Sequence, residues 1–594
     1  MDPISIGLSL LGTIGLIGEI FDGCIKGYQV FSAAANLGRD SERLVCKIRI
    51  EEMRLWVWGR EWGIHEGKFE AHLLSGSWGN EGLKALATEI LTQLFQTIMD
   101  CNKLKNRYGL KEESPGSVDV EAYRKISDVK TLANGRIRSE MKLRARWVIA
   151  DKDRFEELLG ELQYFNDRLE KLFPPSRIAT LHRTWTNELL QTAQHDMSNL
   201  NLLESASIGR YPGLNALAQL KQLRINLDAK EPSNKVLSSS ELKIPVTRLQ
   251  FATESSSSQR IEAIYKKPLD YMRGDAVSED VHVLIDWIPY DKDMDMDLRL
   301  HLYQRVDNLC RLLHSNPARH PDLYTLDCIG YVDDTSRSRY GLVHLIPQQS
   351  VDERSIGNNS ITSQPPPFRT LASLIDDGSR TPDLDVRFKL AHTLAIALWS
   401  FHSLDWLHKS YSANNILFFD ALTDAQKTTN GNSSSSNEKH NLKNPYVVGF
   451  DSSRPDGLEE MTCDPKMGNS RDIYRHPDSL GIWRQPYRKS FDVYSFGLVL
   501  LEVGLWKSIR HLHKPKYTPT VFRDKVLAVL VPALGSKTGS IYQTTVERCL
   551  TYDERKAVVG GVNGSVDGAD TQQQQMKPHQ FMEWAVYNLE GLKV

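Results

Sequence analysis

Trp406–Phe419, WLHKSYSANNILFF, is a polar loop held between two apolar runs. Leu384–His402 before it has apolar residues at helical spacing, and Ile416–Phe419 at its end is an apolar, strand-like tail. Further on, Val447-Val448-Gly449-Phe450-Asp451-Ser452-Ser453 runs an apolar strand into an acid. Phe491–Glu502, FDVYSFGLVLLE, is a mostly apolar run opened by an acid, read as a buried helix. Helix, polar loop, strand, acid-ended strand and buried helix, in that order, predict a mixed α and β domain built around the loop.

These fragments resemble the C-lobe of protein kinases, whose catalytic loop reads H-R-D-L-x-x-x-N. On that pattern His408 and Lys409 take the His and Arg places, and Ser410 stands where the catalytic Asp belongs. Asn415 falls on the metal-binding Asn, and Asp451 on the Asp of D-F-G, with Ser452-Ser453 replacing Phe-Gly. Asp492, Ser495 and Gly497 match the D-x-x-S-x-G opening of the buried helix, and Tyr474-Arg475-His476-Pro477-Asp478 stands in for Y-x-A-P-E. Upstream, Ile261–Tyr265 and Val281–Trp287 predict strands, Leu298–His314 a helix, and Tyr340–Ile346 the strand leading to a hinge. The region therefore reads as an α+β, bilobal, protein-kinase-like domain.

The chemistry is damaged where the fold signal is strong. Phosphoryl transfer needs a Lys on the nucleotide phosphates, a carboxylate and an Asn on Mg²⁺, and a second carboxylate to orient the acceptor hydroxyl. Here no Gly-rich turn precedes the strands, only Ser255–Ser258, and Val283–Ile288 offers Asp286 or Ile288 where V-A-I-K has its Lys. The helix Leu298–His314 contains no Glu to pair with such a Lys. A serine hydroxyl at 410 does not ionise near neutral pH and is no substitute for a carboxylate base. His408, Lys409 and Ser410 thus form a degenerate catalytic loop to which no catalytic residue is assigned. His408 is expected to pack under the loop, and Asp492 to receive its backbone N–H groups. Asn415 and Asp451 remain the candidate Mg²⁺ and nucleotide ligands, giving weak ATP·Mg²⁺ binding at most. Alternatively they tie loops together by hydrogen bonds.

Composition sets the outer limits. The chain has 594 residues, a net charge of −2 and 40% hydrophobic residues, so it can build real cores and shows no basic excess calling for nucleic acid. Seven scattered cysteines with no C-x-x-C pair read as reduced thiols rather than a disulfide framework or a zinc site. At the N-terminus, Ile4–Gly18 is uncharged and apolar. It lacks the basic flank of a signal peptide and is shorter than the roughly 20 residues of a membrane span. Three readings stay open: a helix docked in a soluble bundle, a helix that seeks membrane only when released, and a permanent anchor. Its insertion residues would be Ile4, Ile6, Leu8, Leu10, Leu11, Ile14, Leu16 and Ile17.

Helical periodicity then dominates. A helix is expected after the Asn36–Asp40 loop, with Leu44, Ile48, Leu55 and Trp62 on one face, and another over Leu83–Leu104. Phe155, Leu158, Leu162, Phe165, Leu169 and Leu172 alternate spacings of three and four, a bundle seam stopped by Pro174-Pro175. A further helix is predicted from about Thr180 to Ser205. No alternating strand pattern occurs before residue 240, so this part reads as all-α.

Gly38–Arg43 (GRDSER), Trp58-Gly59, Asp151–Phe155 (DKDRF) and Phe165–Leu169 (FNDRL) resemble the HeLo, or prion-inhibition and propagation, domain of fungal HET-S-type proteins. The resemblance covers roughly residues 1–207. It implies a helical bundle whose apolar N-terminal segment can be expelled into membrane, giving incompatibility-type cell death. The chain also resembles kinase-like domains fused to HeLo modules in Arg387-Phe388-Lys389-Leu390-Ala391, Trp406–Lys409 and Tyr494–Glu502. The organisation expected is a helical domain over 1–207, a connector over 208–256 and a kinase-like domain over 257–594. The last carries a low-complexity insert at 423–441.

The function implied is a cell-death effector whose membrane-active HeLo domain is coupled to a degenerate kinase-like regulator. An active kinase with a helical targeting domain and a non-catalytic scaffold are the alternatives. The partners implied are membrane lipid on activation, and other proteins or further copies through the helical domain. The location implied is cytoplasmic, with conditional membrane association.

Overall fold

The structure, a computed structural model, describes residues 13–32, 39–69, 81–100, 104, 106–107, 110–113, 146–149, 152–228, 242–251, 259–267, 280–314, 320–347, 368–377, 381–419, 442–456, 472–481, 484–555 and 576–592. The chain divides into two units, Met1–Gln219 and Leu220–Val594.

The first unit is a helical bundle of α1 (Thr13–Ser32), α2 (Arg39–Glu61), α3 (Glu81–Met99), α4 (Lys152–Glu170), α5 (Pro175–Ala193) and α6 (Met197–Ser207). Its end runs into α7 (Pro212–Asp228), inside which the division between units falls. The three-four stripe of α4 is core: Phe155, Leu158, Leu162, Phe165 and Leu169 are buried with Ile17, Phe21, Ile48, Trp58 and Leu94 in one cluster, and Leu172 packs against it. A buried leucine truncated to alanine typically costs 2–5 kcal/mol. Leu162→Ala should therefore lower the unit's stability by about that much, read as faster hydrogen exchange along α4 in the full chain. Unchanged exchange would place the stripe outside the core.

Two local departures from the sequence reading have physical causes. The single helix expected over 180–205 is two, α5 and α6, because Gln194 turns left-handed at φ 48° and Asp196 starts a new helix. The Asp196 carboxylate accepts the Ser198 and Asn199 N–H groups at 2.8 and 3.3 Å, satisfying donors a helix start leaves open. The all-α reading also missed a short antiparallel ladder, β1 (Leu110–Glu113) with β2 (Arg146–Ile149), pairing Leu110 with Ile149 and Glu113 with Arg146. Four-residue strands are too short for a period of two to stand out.

The second unit mixes sheet and helix. Five antiparallel strands lie in the order β3 (Leu249–Phe251), β4 (Arg260–Lys266), β5 (Asp280–Pro289), β7 (Arg339–Leu345), β6 (Cys328–Asp334). Strand alternation sorts their side chains. Val283, Ile285, Trp287, Val332 and Val343 form a cluster on one face. Leu284 joins Leu326, Ile346, Leu417, Phe419 and Val448 from the loop region on the other. Asp286, two residues after Leu284, shares that second face. The helix α8 (Met296–Leu313) buries Val306, Cys310 and Leu313.

After β7 come β8 (Arg369–Thr370), α9 (Leu371–Asp376), α10 (Leu384–Ser403) and the short strands β9 (Trp406–Leu407), β10 (Ile416–Phe418), β11 (Tyr446–Val447) and β12 (Arg454–Pro455). Then follow α11 (Lys489–Leu505), α12 (Pro519–Lys525), a π turn over Val526–Leu530, α13 (Val531–Thr538), α14 (Ser540–Thr551) and α15 (Pro578–Glu590). Lys489–Gly504 of α11 are all buried, as their apolar run requires. The insert expected at 423–441 lies outside the described residues.

Candidate functional site

The loop between β9 and β10 is built on one carboxylate. Asp492, at the start of α11, is completely buried. It accepts the His408 N–H at 2.8 Å on Oδ2, and the Lys409 N–H at 2.9 Å and the Tyr487 hydroxyl at 2.8 Å on Oδ1. His402 Nε2 stands 3.5 Å from Oδ2. Burial alone would raise the Asp492 pKa, but His402, His408 and Tyr487 outweigh it and hold the group below the usual carboxylate range. These donors fix Lys409 in a left-handed conformation, φ 64°, that a side chain normally avoids. The Lys409 ammonium lies over the Tyr487 ring, 5.3 Å from its centre.

His408 supports the loop from beneath. Its ring packs 4.8 Å from Phe450 and 5.4 Å from Tyr411, and its Nδ1 accepts the Ser410 N–H at 3.3 Å. Burial lowers its pKa to about 4, so the ring is neutral at physiological pH. Ser410 contributes its carbonyl, which receives the Asn415 amide at 2.7 Å.

Opposite the loop, β4 and β5 place Arg260 beside Asp286 in register. Arg260 Nε lies 3.3 Å from Asp286 Oδ1, an ion-pair contact rather than an aligned hydrogen bond. Its Nη1 donates to the Asn414 carbonyl at 2.9 Å, and its Nη2 donates to Asn415 Oδ1. Asp286 Oδ2 also accepts the Gly449 N–H at 3.1 Å, while the Val448 N–H donates to the Asn415 carbonyl at 2.9 Å. Gly449 is left-handed at φ 83°, and a Cβ there would land on the Asn415 amide, so this turn requires glycine. From α8, Arg305 Nη2 donates to the Asp451 carbonyl.

An ATP·Mg²⁺ complex does not fit this arrangement. The amide oxygen of Asn415 that would face the metal already receives a guanidinium, and a second cation there meets like charge. On the protein-kinase pattern Asp286 falls where the phosphate-binding lysine belongs, and here it is a buried carboxylate. Among the described residues no three His, Cys, Asp or Glu side chains are arranged to hold a metal ion.

In the helical unit the apolar segment enters through α1. Ile17 is buried, as are Phe21, Cys24 and Tyr28 further along one face. A Cβ at Gly23 would fall on the Phe95 ring and one at Gly27 on the Ile98 side chain, so α1 lies closely against α3. Ile4, Ile6, Leu8, Leu10 and Leu11 lie outside the described residues, and Ile14 and Leu16 belong to α1 by backbone only. No helix among the described residues is long and apolar enough to cross a membrane.

Behind α1 lies a buried charge cluster that periodicity did not reveal. The Arg54 side chain is 2% exposed. It donates to Glu170 through two arms at 2.9 and 2.7 Å, to Glu51 at 2.9 Å, to Asp167 at 2.7 Å and to the Tyr211 hydroxyl at 2.9 Å. Asn166 Nδ2 donates to the Glu51 carboxylate and carbonyl, each at 2.9 Å, and contacts the Tyr28 hydroxyl at 3.4 Å. Tyr211 donates its hydroxyl to Glu51, and Arg210 pairs with Asp167. Burial would lower the Arg54 pKa, but Glu51 and Glu170 outweigh it and keep the guanidinium charged.

A second cluster missed in the sequence surrounds Asp405, which accepts Lys489 Nζ at 2.8 Å and Lys221 Nζ at 3.0 Å. Burial would raise the Asp405 pKa, and the two lysines instead drive it far down. Both clusters join charges that lie far apart in the sequence, Arg54 with Glu170 and Asp405 with Lys489 and Lys221.

Residues 9–203 match the HeLo family, described as prion-inhibition and propagation, and residues 299–559 match a domain of unknown function, DUF7580. Heterokaryon incompatibility protein S of Podospora anserina is 23% identical over 218 residues, 35% of this chain and 71% of that relative. Heterokaryon incompatibility protein s of the same fungus is 22% identical over the same shares. The helical unit of this chain, over residues 9–203, is a HeLo domain.

Proposed function

We propose that the protein is a fungal incompatibility-type effector. Its HeLo domain acts on membrane lipid when released, and its second unit is a kinase-like regulator without phosphoryl-transfer activity. The match of residues 9–203 to the HeLo family, together with two heterokaryon incompatibility relatives, carries the first half of this reading. The seating of α1 against α3 adds to it, because the residues that continue the apolar segment are held inside the bundle at rest. The protein is then cytoplasmic before activation and membrane-associated after it, with copies associating through the helical domain.

Support for the kinase-like half is the loop geometry. A buried acid at the head of an all-buried helix receives the two N–H groups after β9, and a five-stranded antiparallel sheet with one helix precedes it. The lack of catalysis rests on Ser410 and Asp286 standing where a base carboxylate and a lysine are needed.

The test is dye release from liposomes. The isolated helical domain should cause leakage, and Leu11→Lys should abolish it, since a charge near the bilayer centre costs about 2.5–3.5 kcal/mol on insertion scales. Leakage that survives the substitution, or a wild-type domain that never leaks, leaves a scaffold role instead. In parallel, the full chain with radiolabelled ATP should show no more phosphate incorporation than its Asp451→Ala variant. Robust incorporation lost in that variant would return the active-kinase reading.

A further inference from the structure

We propose that Arg260 is a built-in clamp that holds the cleft of the second unit shut, filling the place from which a phosphate-bearing ligand would be held. The inference rests on reading that unit as kinase-like, and extends it by saying what its cleft contains.

One guanidinium ties the sheet to the loop between β9 and β10. It starts on β4 in the sheet and pairs with Asp286 on the next strand. Its two remaining nitrogens reach the opposite wall at the Asn414 carbonyl and the Asn415 side chain. The sheet is tied to that wall again through Asp286, which takes the Gly449 N–H. Asn415 closes the ring, donating to Ser410 and accepting from Val448. Each polar atom of Asn415, side chain and backbone, thus already has a protein partner. The Arg260 and Asp286 side chains are only 6% and 4% exposed, so the pair is an interior fixture and not a surface contact. Breaking one partner of a buried ion pair leaves the other uncompensated, which makes the clamp costly to open from within. A fork that donates in several directions suits the role; a lysine ammonium on the same stem cannot reproduce its planar geometry.

The experiment uses the full chain and hydrogen exchange read by mass spectrometry. Arg260→Ala should raise exchange about tenfold or more at residues 413–418 and 446–449, whose amides lie on the clamped wall, and leave residues 13–32 unchanged. Unchanged exchange on that wall overturns the proposal. Should Arg260→Ala unfold the whole unit, Arg260→Lys reads the same segments, because it keeps a charge for Asp286 and loses the second reach to Asn414 and Asn415. In the wild-type protein, millimolar ATP with Mg²⁺ should leave exchange on that wall unaltered, and protection there also overturns the clamp. A further variant, Arg260→Ala with Asp286→Lys, separates the two readings. If it opens and gains saturable binding of trinitrophenyl-ATP, clamp and kinase-like cleft both stand. If it opens and gains none, the clamp stands and the kinase-like reading falls.

Discussion

Replacing Arg54 by alanine should cost the HeLo domain about 3–5 kcal/mol, the penalty for removing one partner of a buried ion pair. The reason is what stays behind. Glu51 and Glu170 are buried, and without Arg54 they retain Asn166, Tyr211 and His182 as neighbours but lose the charge that compensates them. Burial would then push the Glu170 carboxyl toward the protonated form, at a free-energy cost near neutral pH. The effect should be seen in the full chain as exchange rising together across α2 and α4, because Arg54 joins those helices through Asp167 and Glu170. Arg54→Lys should recover only part of the loss, since an ammonium cannot make the two-armed contact to Glu170. A variant as stable as the wild type would mean that the carboxylates find solvent, and that the cluster is not interior.

The second large effect is on pH dependence. Glu502 of α11 is fully buried, accepts the Tyr474 hydroxyl at 2.9 and 2.8 Å, and takes the Ile509 N–H at 2.9 Å. Burial raises its pKa from 4.5 to about 7, and Asp376 adds to the rise against the lowering by Ile509, Tyr474 and Arg510. A raised folded-state pKa means that the folded protein holds the proton more tightly than the unfolded chain. The stability this gives is complete below the unfolded value and is lost as pH climbs through about 7. Over that interval the group alone accounts for roughly 3 kcal/mol. Glu502→Gln carries no ionisable group there, so its stability relative to wild type should improve by about that amount between pH 5 and pH 8.5. Comparing the two proteins cancels the buried histidines, such as His344, lowered to about 3, and His408, lowered to about 4. Those act in the opposite sense, removing stability as pH falls below 6.5. Parallel pH profiles for the two proteins would show that Glu502 is hydrated.

How much of this was legible in the chain depends on the range of each interaction. The α4 stripe was readable because five of its apolar residues lie on one face of one helix and all enter one core. The role of Asp492 was readable too, since the resemblance supplied a partner 84 residues away. The break at Gln194 was hidden, because a left-handed glutamine carries no signal of the kind a glycine would give. β6 was hidden by its composition, Cys328-Ile329-Gly330-Tyr331-Val332-Asp333-Asp334, in which a bulge disturbs the alternation. Arg260 escaped notice although Asp286 did not, because only the register of β4 on β5 brings them together. Arg54 was hidden by distance along the chain, because its acceptors on α4 lie 113 and 116 residues further on.

The separation between His408 and Asp492 also has a consequence for how the chain is made. The loop leaves the ribosome 84 residues before the acid that holds its two N–H groups. At about 5–20 residues per second, that interval lasts roughly 4–17 s. For that time the backbone at Lys409 has nothing to keep it in its left-handed turn, and the apolar sequence of α10 has emerged without α11 to cover it. The second unit therefore cannot set its loop during synthesis of the loop itself; the nascent chain waits, partly open, for a helix not yet translated.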